Sequence, residues 1–301
     1  MAEKKASPKG HAKSRVAQRF LNIFFILLCL CYILPLMLLI SVSFEGSRGQ
    51  EFSLIPKQFS TSAYEMILQN PVRLFRAYGV TAFYSIVGVL GSLVVMSLFA
   101  YALSRRHFKL RGVLSFLLFF TTLFSGGMVP SYIINSRYLH LNDTIWIYIL
   151  PGLVNAFNVI VIRTYFQNLP VELFECAHLD GASELQICFR IAIPLSTPAL
   201  ASVGFLRFVD AWNNWSTSQV YVRNTKLFSL QYLLKLILDD IKYMEQLVEE
   251  GRASVSQVQE LANAESMRFA MTVMATVPAL LVFPFFQKYF AKGLTLGAVK
   301  G

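Results

Sequence analysis

The sequence predicts an all-α integral membrane protein: six transmembrane helices, a cytoplasmic helix-turn-helix loop, and both termini in the cytoplasm. Three observations predict it. Hydrophobic residues make up 55% of the 301 residues and charged residues only 15%, where a soluble domain carries about a quarter charged. Mean hydropathy is +0.52, and six apolar segments are each long enough to cross about 30 Å of hydrocarbon. The formal charge of +10 is placed by the positive-inside rule rather than as a stripe on a folded face, which excludes nucleic acid as a partner.

The elements follow in order. A basic tail, residues 1–19, carries Lys4, Lys5, Lys9, Lys13, Arg15 and Arg19. The first span, 20–44, is too long for a signal-peptide core, and Phe44-Glu45-Gly46-Ser47-Arg48 is a poor cleavage site. The other spans are expected at about 78–103, 112–134, 145–166, 196–216 and 268–290. Polar, Gly and Pro residues interrupt the third and fourth, which are therefore expected to line the bundle interior. Arg105, Arg106, Lys109 and Arg111 lie between the second and third spans, and Lys288, Lys292 and Lys300 follow the last. Outside lie 45–77, 135–144 and the external segment 217–267, where Leu230, Leu233, Leu234, Ile237 and Ile241 recur at helical spacing ahead of an acidic stretch. Residues 291–301 form a C-terminal cytoplasmic tail. The four cysteines build no disulfide framework, and no Cys–His spacing suggests zinc.

Residues 167–195 are the most informative stretch. Pro170 suits a first helical position, and Glu172 to Ala177 continue a short helix. Asp180-Gly181 supplies a turn, because Gly adopts the left-handed conformation that ends a helix. Ser183 caps the next helix, with Gln186 three residues on. Two readings of this helix-turn-helix stand: a surface helix covering the ends of the spans, or one that fits a groove on another protein.

Glu175-Cys176-Ala177, Asp180-Gly181-Ala182 and Ile191-Ala192-Ile193-Pro194 resemble the EAA loop, the signature of permease subunits in binding-protein-dependent ABC importers. That pattern runs Glu-Ala-Ala, three residues, Gly, nine residues, Ile, one residue, Leu-Pro; here Cys176 and Ile193 depart from it by small, apolar exchanges. The resemblance extends from about residue 20 to the end. It is nearest to carbohydrate-uptake permeases of the maltose type, in the oligosaccharide branch, through Ser125-Gly126-Gly127-Met128-Val129-Pro130, Leu150-Pro151-Gly152, Trp212-Asn213 and the tail from Lys292 to Gly301. It implies a non-catalytic subunit of a bacterial cell membrane importer. Its expected partners are membrane lipid, a second homologous permease, two ATPases that hold ATP and Mg, an extracellular solute-binding protein and a carbohydrate substrate. It further implies that Glu175, Cys176, Ala177, Asp180, Gly181 and Ala182 couple to the ATPase, and that Thr295 and Lys300 in the tail contact it.

An uncharged sugar needs amides, hydroxyls and aromatic faces. The candidates inside the spans are Asn155, Asn158, Arg207, Asp210, Trp212, Asn213, Asn214 and Trp215. Each has a plainer reading. Asn155 and Asn158 suit interhelical hydrogen bonding, Arg207 and Asp210 an intrahelical pair, and the two tryptophans the outer interface. Arg163 is expected to snorkel. A membrane enzyme is disfavoured because His11, His107, His140 and His178 all fall in tails and loops, and a secondary transporter because of the coupling loop. A peptide or polyamine importer of the same architecture is the remaining alternative.

Overall fold

The computed structural model describes residues 11–45, 54, 56, 59–252 and 254–298, with side chains from 17–45, 54, 56, 59–252, 254 and 267–289. Along the chain run α1 (His11–Ser43), α2 (Ser62–Leu68), α3 (Pro71–Ser104), α4 (Arg111–Leu123), α5 (Met128–Ile133, continued by a π turn over Ile134–Tyr138) and α6 (Trp146–Ile149). Then come α7 (Ala156–Gln167), α8 (Val171–Leu179), α9 (Glu184–Ile187, followed by a π turn over Cys188–Ala192), α10 (Ile193–Leu195), α11 (Thr197–Trp212), α12 (Ser216–Tyr221), α13 (Leu230–Glu249) and α14 (Val255–Ala298). Two compact units are formed, Met1–Ile67 with Tyr243–Val273, and Leu68–Lys242 with Met274–Gly301.

In the first unit α1 is apolar on every face, and none of its span Ala17–Ser43 is buried at its most apolar window. A helix that is apolar all round and uncovered by protein has lipid for a solvent. Its end is fastened by aromatic contacts: the Phe44 ring stacks on Phe59 at 5.3 Å and lies 4.9 Å from Tyr64. Ser43 Oγ sits 2.8 Å from the Tyr64 hydroxyl.

In the second unit α3 is the axis. Its 34 residues span about 51 Å at ~1.5 Å per residue. Ser85, Gly88, Ser92, Ser97 and Ala100 are buried along it, and such small residues let neighbouring helices approach closely. Helices α7 and α11 pack there. One core joins Met96, Leu103, Val159, Ile162, Phe166, Phe174, Ile187 and Val203. A second, nearer the start of α3, stacks Tyr84 on Tyr148 at 4.5 Å. The Tyr148 hydroxyl lies 2.6 Å from Ser218 Oγ and donates to the Leu227 carbonyl at 2.8 Å. Within α14, Pro278 has no N–H for the Met274 carbonyl four residues earlier. The Tyr78 hydroxyl supplies that missing donor at 2.6 Å.

The helices depart from the expected spans in particular ways. Ala17–Ser43, Pro71–Ser104 and Met267–Tyr289 are long and apolar enough by themselves, and three bent pairs bring the number to as many as six. The second starts at Pro71 rather than 78. The third breaks at Phe124–Gly127 and bends by 115°. Phe116, Phe119, Phe124 and Met128 are exposed there and Leu118 alone is buried, and its glycines lie at the turn. The fourth bends by 52° at Leu153–Asn155. In the fifth, α11 has 16 residues, about 24 Å long. It becomes long enough only with Glu184–Leu195, across an 81° bend where Pro194 and Pro198 interrupt the backbone donors. Helix α14 starts at Val255 instead of 268, because 255–268 holds good helix formers and no breaker. The last part of the acidic excursion, with Glu260 and Glu265, and the last span are thus one helix, while Asp239 to Glu249 lie in α13.

Candidate functional site

The loop 167–195 is built from local rules. Helix α8 begins at Val171; Pro170 stands one position earlier than a first helical residue, as the extended N-cap (ψ 130°). At its other end Gly181 has φ 79°. Gly181 N donates to the His178 carbonyl and Ala182 N to the Ala177 carbonyl, both at 3.0 Å. These are the paired bonds of a Schellman motif. Ser183 Oγ then accepts from Gln186 N at 3.4 Å while Gln186 Oε1 accepts from Ser183 N at 2.9 Å, which completes a capping box. Phe174 and Ala177 sink into the core. Glu175, Cys176, Asp180 and Gly181 stay exposed and Ala182 is half-buried. Leu179 is 88% exposed, one turn beyond Glu175 on the same face.

The end of α3 holds this loop from beneath. The Tyr101 hydroxyl donates to Glu184 Oε2 at 2.6 Å, and His178 Nε2 lies 3.5 Å from Glu184 Oε1. The Arg105 guanidinium lies 3.7 Å above the Phe174 ring and 4.9 Å from that of Tyr101. Burial lowers the pKa of Arg105 below its ordinary value, and a guanidinium stays charged in proteins. Between α8 and the α3–α4 turn opens a pocket of about 810 Å³ with Arg105, Arg106, Arg111, Glu175, His178 and Glu184 on its walls.

Most of the substrate-path candidates make hydrogen bonds within the protein. Asn155 caps α7, its Oδ1 accepting from Asn158 N at 3.0 Å, and Asn158 is buried. Arg207 pairs with Asp210 at 3.2 Å, as their spacing predicts, with Arg207 shielded and Asp210 76% exposed. Arg207 Nη2 also donates to the Gly152 carbonyl at 2.7 Å, and Ser92 Oγ reaches the same oxygen at 3.2 Å. These donors serve a carbonyl freed by the break in the fourth span. A Cβ at Gly152 would stand 2.6 Å from Arg207 Nη2, so a side chain there would displace the flexible end of Arg207. Trp212 is buried, stacked on Phe208, and its Nε1 donates to the Ala275 carbonyl at 3.0 Å. Asn213 Nδ2 donates to the Val209 carbonyl, and Asn213 Oδ1 accepts from Gln231. Asn214 receives Thr217 N at the start of α12. Trp215 is 41% exposed, with Lys235 Nζ 5.5 Å from its ring centre. Arg163 donates to Ser115 Oγ at 2.9 Å. The side chain of Thr295 and all of Lys300 lie outside the described residues.

Sequence reasoning missed Tyr101, Glu184 and the role of Gly152. Glu184 carried only the weak mark of an acid in a first helical turn, and its partner lies 83 positions away, beyond any local pattern.

Comparison with known proteins places this geometry in context. Residues 12–296 match the family described as the binding-protein-dependent transport system inner membrane component. The chain is 38% identical over 293 residues to the polygalacturonan/rhamnogalacturonan transport system permease protein YtcP of Bacillus subtilis (strain 168), covering 96% of this chain and 100% of that protein. It is 28% identical to the arabinooligosaccharides transport system permease protein AraQ of the same organism, over 93% and 95%. Among solved structures, one chain of a bacterial ABC transporter involved in the import of the acidic polysaccharide alginate aligns with a TM-score of 0.79 and 30% identity. That alignment covers 94% of this chain and 100% of the other.

Proposed function

The chain belongs to the family of binding-protein-dependent transport system inner membrane components, and on that premise we propose that it forms half of the translocation path for an oligosaccharide. In this reading the three continuous helices and three bent pairs are six spans, with both termini and the loop 167–195 in the cytoplasm. Its partners are a second, different permease, two ATPases that hold ATP and Mg, and an extracellular solute-binding protein. Hydrolysis takes place on the ATPases, and this chain is not an enzyme.

The observation that carries the reading is the exposed face of α8. An apolar residue 88% exposed, Leu179, stands beside Glu175 on a helix whose C-terminal end is closed by the Gly181 turn, and its other face is buried by Phe174 and Ala177. Such a helix is preorganised for a groove on a partner. ATP binding closes the ATPases, and the closure favours one state of the permease by differential contact. Glu175 there makes a charge-assisted contact with a basic ATPase residue.

For the substrate, relatives named for polygalacturonan/rhamnogalacturonan and for alginate favour an acidic, uronate-bearing oligosaccharide over the peptide or polyamine alternative. The relative named for arabinooligosaccharides makes a neutral oligosaccharide the second reading. The docking reading is tested by Leu179→Asp. A charge at the centre of the interface is expected to reduce the ATPase that copurifies with the permease at least tenfold, roughly the 1.4 kcal/mol that one decade requires. The chain itself remains in the membrane. ATPase retained at wild-type level would remove α8 as the docking element.

A further inference from the structure

We propose that Tyr101 and Glu184 act together as the tether that carries motion of α8 into the longest span, α3. They are positioning residues for transport, distinct from the residues that seat the ATPase. The proposal rests on the reading of α8 as the docking element.

The contacts join three elements at one point. Glu184 opens α9, immediately beyond the Gly181 turn and the Ser183 cap. Its carboxyl faces the last turn of α3, where the Tyr101 hydroxyl meets Oε2 at 2.6 Å, and faces back to α8, where His178 Nε2 stands 3.5 Å from Oε1. Tyr101 is itself fixed: only 6% of it is exposed, its ring meets Phe166 edge-on at 6.2 Å, and Arg105 spans both Tyr101 and Phe174.

The remaining contact between the loop and the spans is largely apolar, through Phe174, Ala177, Ile187 and Cys188. Apolar contact is non-directional and lets a helix slide or rotate on its bed. A hydrogen bond from a hydroxyl to a carboxylate, at the short length such bonds take, fixes both distance and direction. Coupling between distant sites needs a rigid element with discrete arrangements at each joint. At this joint the direct hydrogen bond from the α3 end to the start of α9 is the one between Tyr101 and Glu184. Without it α8 still binds the ATPase, and part of its displacement is absorbed before it reaches α3.

The test uses the full complex in lipid vesicles with its binding protein. Two quantities are measured: ATPase copurified per permease, and sugar moved per ATP hydrolysed. Tyr101→Phe removes only the donor and keeps the ring against Phe166 and Arg105. It is expected to retain ATPase at wild-type level and to lower sugar moved per ATP at least threefold, with ATP hydrolysis continuing. Glu184→Ala is expected to do the same, and the double variant to fall no further than either alone, since one interaction is lost. Glu184→Gln keeps an oxygen that accepts from Tyr101, and is expected to stay within twofold of wild type. Unchanged sugar per ATP in Tyr101→Phe, with ATPase bound, overturns the tether. So does loss of the ATPase from that variant, which would assign the pair to docking. Failure of the underlying docking reading shows separately, as ATPase retained by Leu179→Asp.

Discussion

Gly181→Val is expected to abolish stable association with the ATPases while the permease still enters the membrane. Gly181 sits at φ 79°, a region that costs an L-residue about 1–3 kcal/mol, more when the side chain is β-branched. The chain relieves that strain by giving up the bonds that Gly181 N and Ala182 N make to His178 and Ala177. The last turn of α8 then frays, and Leu179 leaves the face it shares with Glu175. Each 1.4 kcal/mol reduces the docking-competent population about tenfold, so copurified ATPase falls to roughly a tenth or less. Gly181→Asn separates strain from side-chain loss, because Asn tolerates the left-handed region and is expected to keep most of the ATPase. Wild-type copurification by the Val variant would show that this turn does not present the docking face.

Trp212→Ala is expected to cost the most stability, and to leave transport per assembled complex close to wild type. The indole is buried, stacks on Phe208 with ring centres 5.7 Å apart, and holds α11 to α14 through Nε1 on the Ala275 carbonyl. Truncating a buried aromatic of this size costs about 3–5 kcal/mol. Trp212→Phe retains a ring but loses the hydrogen bond to that carbonyl, at about 0.5–1.5 kcal/mol. Thermal unfolding of the solubilised permease, with uptake normalised to assembled complex, checks both. Normal stability with abolished uptake would return Trp212 to the substrate path.

These two residues also show how far the sequence was legible. Gly181 was readable because everything that fixes it is local: a helix of apolar and acidic residues, Asp-Gly, then Ser183 with Gln186 three positions on. The spans were readable as apolar segments, but not their bends. A hydropathy window sums over the breaks at Phe124–Gly127 and Leu153–Asn155, and cannot distinguish a glycine that lines a cavity from one that turns the chain. Trp212 was ambiguous because composition gives no direction to a side chain. Its partner carbonyl, at Ala275, lies 63 residues away. The Tyr101–Glu184 bond and the approach of Arg207 to Gly152 were invisible for the same reason, since each depends on which helices α3 gathers around it.

The most direct test of the central claim is the ATPase activity of the complete complex in lipid, with its binding protein, across uronate-bearing, neutral and branched oligosaccharides, peptides and polyamines. The account predicts that one sugar class, the uronate-bearing oligosaccharides, stimulates ATP hydrolysis severalfold over the level without sugar, and that the same class accumulates inside the vesicles. Stimulation by peptides or polyamines, with every sugar inert and the complex intact, would contradict it.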